Sequence, residues 1–165
     1  TLSMAWFAQP FFKEVDVPLK WFGFLWAALN FSVGISSYHA YRLEQRFSKK
    51  TLLLSVGICI AAAFWFLGNS ETQWGIFWIF VIYLVRGIAT PVLRNYINEI
   101  TASEIRATVL SVRSFITRVT FAVTAPFLGW MADHYTLSSS FWVLGLLVGL
   151  INALCTWKLF SLSKD

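Results

Sequence analysis

Charge is scarce in this chain. Only 13% of its 165 residues are Asp, Glu, Lys or Arg, against 58% apolar, where a soluble domain is nearer a quarter charged and half apolar. That balance excludes an ordinary soluble domain, and the usual reckoning of domains from length does not apply. Cysteine is nearly absent. Cys59 and Cys155 each lie inside an apolar run, with no CxxC or metal spacing, so both read as lipid- or core-facing fillers and carry no redox information. A phosphate-binding glycine loop is missing, which argues against ATP-driven work by this chain alone. The two histidines, His39 and His134, lie far apart, and no acid pair, Ser–His set or metal spacing converges within an apolar run. No catalytic residue, metal or cofactor is expected. The net charge of +5 is distributed mostly between apolar runs rather than on one basic face, so no nucleic-acid partner is expected.

What remains is apolar sequence in bilayer-sized lengths, with 18% aromatic residues and nine Trp fitting interfacial belts. The expected class is all-α, a polytopic membrane helical bundle with the lipid bilayer as its solvent. Residues 1–12 are apolar but too short to cross, and no basic segment precedes them, so they read as the end of a cut span rather than a signal peptide. Complete spans are expected at about 21–41, 51–68, 74–96, 107–132 and 141–159. Between them lie 13–20, punctuated by Pro18; the basic stretch 42–50, RLEQRFSKK; 69–73; the turn 98–106, where Ser103 is placed to cap the next helix; and 133–140.

Within the first complete span, Gly23, Ala27, Asn30 and Gly34 share one helical face. Small residues there allow close helix contact, with Asn30 either bonding across the contact or facing a solute path. In the last span Gly145, Gly149, Asn152 and Thr156 share a face, with a GxxxG spacing at 145–149.

The stretch 74–133 carries the chemistry. Arg86 lies near the middle of its span, and Arg113 and Arg118 lie inside the next. An arginine at the centre of a spanning helix costs about 2.5–3.5 kcal/mol on insertion scales, so it faces a bundle interior or a wet cavity and often marks a solute pathway. Thr90 lies on nearly the same face as Arg86, and Pro91 removes the helical bond to the carbonyl of Gly87, favouring a kink there. Arg94 is near enough to the helix end to snorkel. In the next span Arg113, Thr117, Thr120 and Thr124 form one polar stripe, and Ser111, Ser114 and Arg118 a second. Such a helix is buried among neighbours or lines water. Each arginine is open to two readings: a solute contact, or a clamp on backbone carbonyls or a partner carboxylate.

Basic residues also set orientation. Arg42, Arg46, Lys49, Lys50, Arg106, Lys158 and Lys164 fall on one side, Lys13 and Lys20 on the other. The positive-inside rule then puts 42–50, 98–106 and the C-terminus in the cytoplasm.

Three motifs together resemble the C-terminal half of a major facilitator superfamily transporter. These are A-x-R-x-E-x-R-x-x-K-K at 40–50, RG-x3-P-x2-R-x-Y-x-N at 86–98 followed by RATVLS at 106–111, and PFLGWMAD at 126–133, similar to the eleventh helix of bacterial members. The resemblance covers essentially the whole chain. It implies helices eight to twelve preceded by the end of helix seven, hence an N-terminally truncated six-helix half in a bacterial inner membrane. It also implies a missing N-terminal six-helix half as partner and a small-molecule solute in a cavity between the halves. Transport would be secondary, by alternating access and proton-coupled. The 42–50 stretch sits where the second copy of the family's cytoplasmic gating motif lies; it keeps Arg42, Glu44, Arg46, Lys49 and Lys50 but lacks the usual glycines, with Ser48 before the basic pair. The alternative is a non-transporting membrane scaffold or assembly subunit.

The orientation is testable. Cysteines introduced at Ser70 and Ser138 should react with an impermeant reagent added outside sealed cells, and those at Ser48 and Ser103 should not. Labelling at Ser48→Cys overturns it.

Overall fold

The computed structural model describes residues 2–161. The chain folds into α1 (Leu2–Glu14), a 3₁₀ turn at Leu19–Trp21, α2 (Phe22–Arg46), α3 (Lys49–Gly68), α4 (Gly75–Ile100), α5 (Arg106–His134) and α6 (Leu137–Ser161). Four of these are long and apolar enough to cross a membrane: Thr51–Gly68, Gly75–Ile100, Arg106–His134 and Leu137–Lys158. The fifth long helix, α2, has the length but carries Asn30, Ser32, Ser36, Ser37 and His39, which lower its hydropathy.

Helix ends run past the expected spans at several places. The stretch 42–46, expected to begin a loop, instead continues α2, because Arg, Leu, Glu and Gln all propagate a helix. Phe47 is extended, and Ser48 caps α3 by accepting from the Thr51 N–H at 3.2 Å. The basic stretch is thus a helix end, a two-residue turn and a helix start. Likewise α5 and α6 are separated only by Tyr135 and Thr136, not by an eight-residue loop. Ser103 does not cap α5. That helix starts later, at Arg106, with Ile105 at the cap position and no side-chain bond.

Small residues decide which helices meet. In α3 and α6, Gly57 lies against the Asn152 side chain, and a Cβ on Gly145 would stand 3.1 Å from the Ala61 carbonyl oxygen and 3.3 Å from the Trp65 nitrogen. Asn152 donates to the Leu54 carbonyl at 3.3 Å. The face of Gly145, Gly149, Asn152 and Thr156 therefore makes the close contact expected of it. The face of Gly23, Ala27, Asn30 and Gly34 does not: no atom outside the immediate helix lies within 4 Å of a Cβ placed on Gly23 or Gly34. Asn30 is exposed and donates to the Trp26 carbonyl of its own helix at 2.9 Å. The packed side of α2 is instead Leu29, Ser32, Ser36 and Ala40, all buried, because Gly87 of α4 leaves room there.

That α2–α4 contact has a specific chemistry. A Cβ on Gly87 would collide with the Ser36 hydroxyl and stand 2.6 Å from the Val33 carbonyl oxygen. Pro91 deprives the Gly87 carbonyl of its helical donor, yet α4 runs unbroken through Pro91. The missing donor comes from α2: the Ser37 hydroxyl donates to the Gly87 carbonyl at 2.8 Å. Neighbouring-helix hydroxyls are one of the ways in which a proline-containing membrane helix is re-satisfied.

The core at the other end is aromatic. Phe141 of α6 is 1% exposed and meets Phe7 and Phe11 of α1 edge-on at 6.0 Å each and stacks on Phe64 of α3 at 6.4 Å. Phe11 also covers Gly75 at the start of α4. These contacts tie α1, only 13 residues long, to α6 and α4, with α3 joined through Phe141. In contrast α5 contributes a single buried residue, Leu128.

The proline and serine at the α2–α4 contact should be coupled. Ser37→Ala is expected to cost about 0.6–1.7 kcal/mol, the range for interhelical hydrogen bonds in membranes. In a Pro91→Ala background the cost should shrink toward zero, because alanine restores the N–H that serves the Gly87 carbonyl. Thermal unfolding of the four proteins in mild detergent measures this; an unchanged Ser37→Ala cost refutes the coupling.

Candidate functional site

Arg86 lies 11 residues from the start of α4 and 14 from its end, or about 17 and 21 Å at 1.5 Å per residue. Because Gly87 turns toward α2, its neighbour Arg86, about 100° round the helix, turns away from that contact and toward α5. The Arg86 guanidinium lies 5.8 Å from the centre of the Tyr83 ring, a cation–π distance. Tyr83 is itself buried, with the edge of Trp26 against it at 6.3 Å.

Opposite, α5 presents a polar face. At 100° per residue, the two stripes expected on this helix merge into one arc of about 180° holding Ser111, Arg113, Ser114, Thr117, Arg118, Thr120 and Thr124. Between α4 and α5 a recess of 720 Å³ is lined by Arg86 and Thr90 from one side and by Arg113, Ser114, Thr117, Arg118 and Phe121 from the other, with Leu2 of α1 closing one end. Arg86, Thr90, Arg113 and Thr117 also line an adjoining recess of 480 Å³. Of the residues singled out in the sequence, Arg86, Thr90, Arg113 and Arg118 are thus brought together. Asn30 is not among them; it remains on the outer side of α2.

The threonine hydroxyls are already committed as donors. Thr90 donates to the Arg86 carbonyl and Thr117 to the Arg113 carbonyl, each at 2.9 Å, and Thr124 to the Thr120 carbonyl at 2.8 Å. The charged donors facing the recess are therefore the guanidinium groups, and no acidic side chain is part of its lining. Phe121 and Trp6 escaped the sequence reading. Trp6, 69% exposed, stacks on Phe121 at 6.1 Å behind the lining of the recess. The signal available was the i, i+3 spacing of Phe121 from Arg118; nothing local pointed to Trp6.

The stretch expected to gate lies elsewhere. Arg42 and Arg46 are exposed on the last turns of α2, and half-buried Glu44 accepts from the Asn95 side chain of α4 at 2.9 Å. Lys49 and Lys50 belong to the first turn of α3, but their side chains lie outside the described residues. Both histidines bond within their own helices, His39 to the Ile35 carbonyl at 2.9 Å and His134 to the Trp130 carbonyl at 3.0 Å. Glu14, at the end of α1 opposite Leu2, has its carboxyl raised above the ordinary range by burial and, secondarily, by the charge of Glu71. Twelve helical residues, about 18 Å, separate it from the recess end at Leu2, so it takes no part there.

No curated protein and no solved structure matches the chain. The family model described as Major Facilitator Superfamily matches residues 1–165. A bundle of long apolar helices, a cationic recess between two of them and a family match over the full length agree: the chain belongs to the major facilitator superfamily of membrane transporters.

Proposed function

We propose that the chain works as the C-terminal six-helix half of a secondary transporter, moving a small solute by alternating access and coupled to protons. On this reading α2 to α6 span the membrane and α1 is the end of a further span. The recess between α4 and α5 is this half's share of a central cavity closed by an N-terminal six-helix half, and the C-terminus is cytoplasmic in a bacterial inner membrane. Arg86, Thr90, Arg113 and Arg118 face the solute. The observation that carries the reading is the recess itself. A midspan arginine whose desolvation costs about 2.5–3.5 kcal/mol is turned out of the packed contact at Gly87 and into an open space shared with two more arginines.

Further support comes from α5. Only 6% of its apolar window is buried, so its polar face is free for a second bundle and for solute. Three arginines opening on one recess fit a solute path better than the packed contacts of a scaffold. Glu44 bonded to Asn95 links the ends of α2 and α4, consistent with Arg42, Glu44, Arg46, Lys49 and Lys50 coordinating the cytoplasmic gate. A carboxylate that carries the proton is then supplied by the N-terminal half.

Arg86 tests the proposal in the complete transporter. Lysine keeps the charge and loses the planar fork, so Arg86→Lys is expected to accumulate normally and to transport roughly ten- to a hundredfold more slowly, the equivalent of about 1.5–3 kcal/mol for a charge-assisted hydrogen bond. Arg86→Ala should abolish transport and still reach the membrane folded. Normal transport by Arg86→Ala removes the residue from the pathway; failure to accumulate makes it a structural clamp.

A further inference from the structure

We propose that the solute is an organic anion with an apolar, ring-bearing body, an inference that rests on the recess being the solute path. Three features point to this chemistry. Arg86, Arg113 and Arg118 bring three positive charges to one recess whose lining includes no acid. Like charges held together raise one another's energy, and a bound anion relieves this. A guanidinium also presents a planar fork that matches a carboxylate or phosphate with two parallel hydrogen bonds. The donors are selective as well: Thr90 and Thr117 already donate to their own helices, so their oxygens add little that favours an anion over a neutral solute, and the discrimination falls on the arginines.

The body of the solute is specified by the other edge. Phe121 lies one turn beyond Arg118 on the recess wall, and Trp6 stacks on it with its rings 29° from parallel and 69% exposed. An aromatic pair next to a guanidinium cluster, with Trp6 exposed and Phe121 half-buried, suits a molecule with an acid group at one end and a flat apolar surface at the other. A bare inorganic anion would leave Phe121 and Trp6 unused, and a cationic drug-like molecule would meet the arginines as like charges. The volume of 720 Å³ lies within the range of pockets for small organic ligands.

The test uses the full-length transporter, both halves together, in lipid nanodiscs, with equilibrium dialysis of four probes of one shape: 2-naphthoate, 2-naphthyl phosphate, 2-naphthalenemethanol and 2-naphthylmethylammonium. The two anions should bind at least about tenfold more tightly than the alcohol or the ammonium, the size of a charge-assisted hydrogen bond. Arg118→Gln, at an exposed position, should erase about tenfold of that preference by weakening the anions far more than the alcohol, and Arg86→Gln should act in the same way. Trp6→Ala should weaken all four probes by a similar factor. Equal or tighter binding of the ammonium probe overturns the proposal. So does anion binding indifferent to both arginine changes, the result expected if acids from the N-terminal half already neutralise the recess. Flux in proteoliposomes separates this inference from the transport reading. Selective anion binding with no flux of any probe supports the anion site and counts against transport, whereas flux of the ammonium probe without anion binding retains transport and rejects the anion.

Discussion

The architecture depends on one backbone carbonyl. Pro91 leaves the Gly87 carbonyl without its helical donor, and in a hydrocarbon environment an unsatisfied carbonyl costs several kcal/mol. The Ser37 hydroxyl answers it at 2.8 Å, which holds α2 at a close and defined distance from α4. Gly87 must lack a side chain for that approach, since a Cβ would collide with Ser36 and crowd Val33. Once Gly87 is committed to α2, helical geometry leaves Arg86 no choice but to turn elsewhere. The same contact that packs the bundle therefore aims the arginine.

The aiming explains how the chain tolerates three arginines in apolar helices. None is buried in the packed core, which is built from Phe12, Phe64, Phe141, Leu67, Ile79, Ile82 and their neighbours. The arginines gather instead on the side where α4 and α5 diverge, and α5 contributes little to the core. Packing and the polar recess are divided between faces: glycine, alanine and serine lie on the faces that meet, and arginine, threonine and aromatic rings on the face that stays open. Arg86 also rests on Tyr83, so part of its charge is met by the ring.

The sequence by itself determined the class of protein and the location of its unusual residues. Apolar runs of bilayer length, interrupted by Arg86, Arg113 and Arg118, identify spanning helices with a polar function, because insertion energetics act on composition and length before any tertiary contact exists. The freed Gly87 carbonyl was legible for a similar reason: proline's missing N–H is a local fact. The GxxxG face of α6 was legible too, since spacing along one helix states which residues share a side.

Only the tertiary structure decided which of the candidate faces meet. Gly23, Ala27, Asn30 and Gly34 have the same pattern as Gly145, Gly149, Asn152 and Thr156, yet the first set is left open and the second is packed. A small-residue stripe states that a helix can be approached closely, and the partner's surface determines whether it is; for α2 that partner was Gly87, on the opposite side. The two polar stripes of α5 form one arc by helical geometry alone, and the tertiary structure decided that α4 stands opposite Arg113, Ser114, Thr117 and Arg118. The helix end at 42–46 escaped local reading because charged residues of good helix propensity mark a membrane boundary without ending a helix. The pairing of Trp6 with Phe121, more than a hundred residues apart in the chain, has no local signal at all, because it is created only when α1 folds back beside α5.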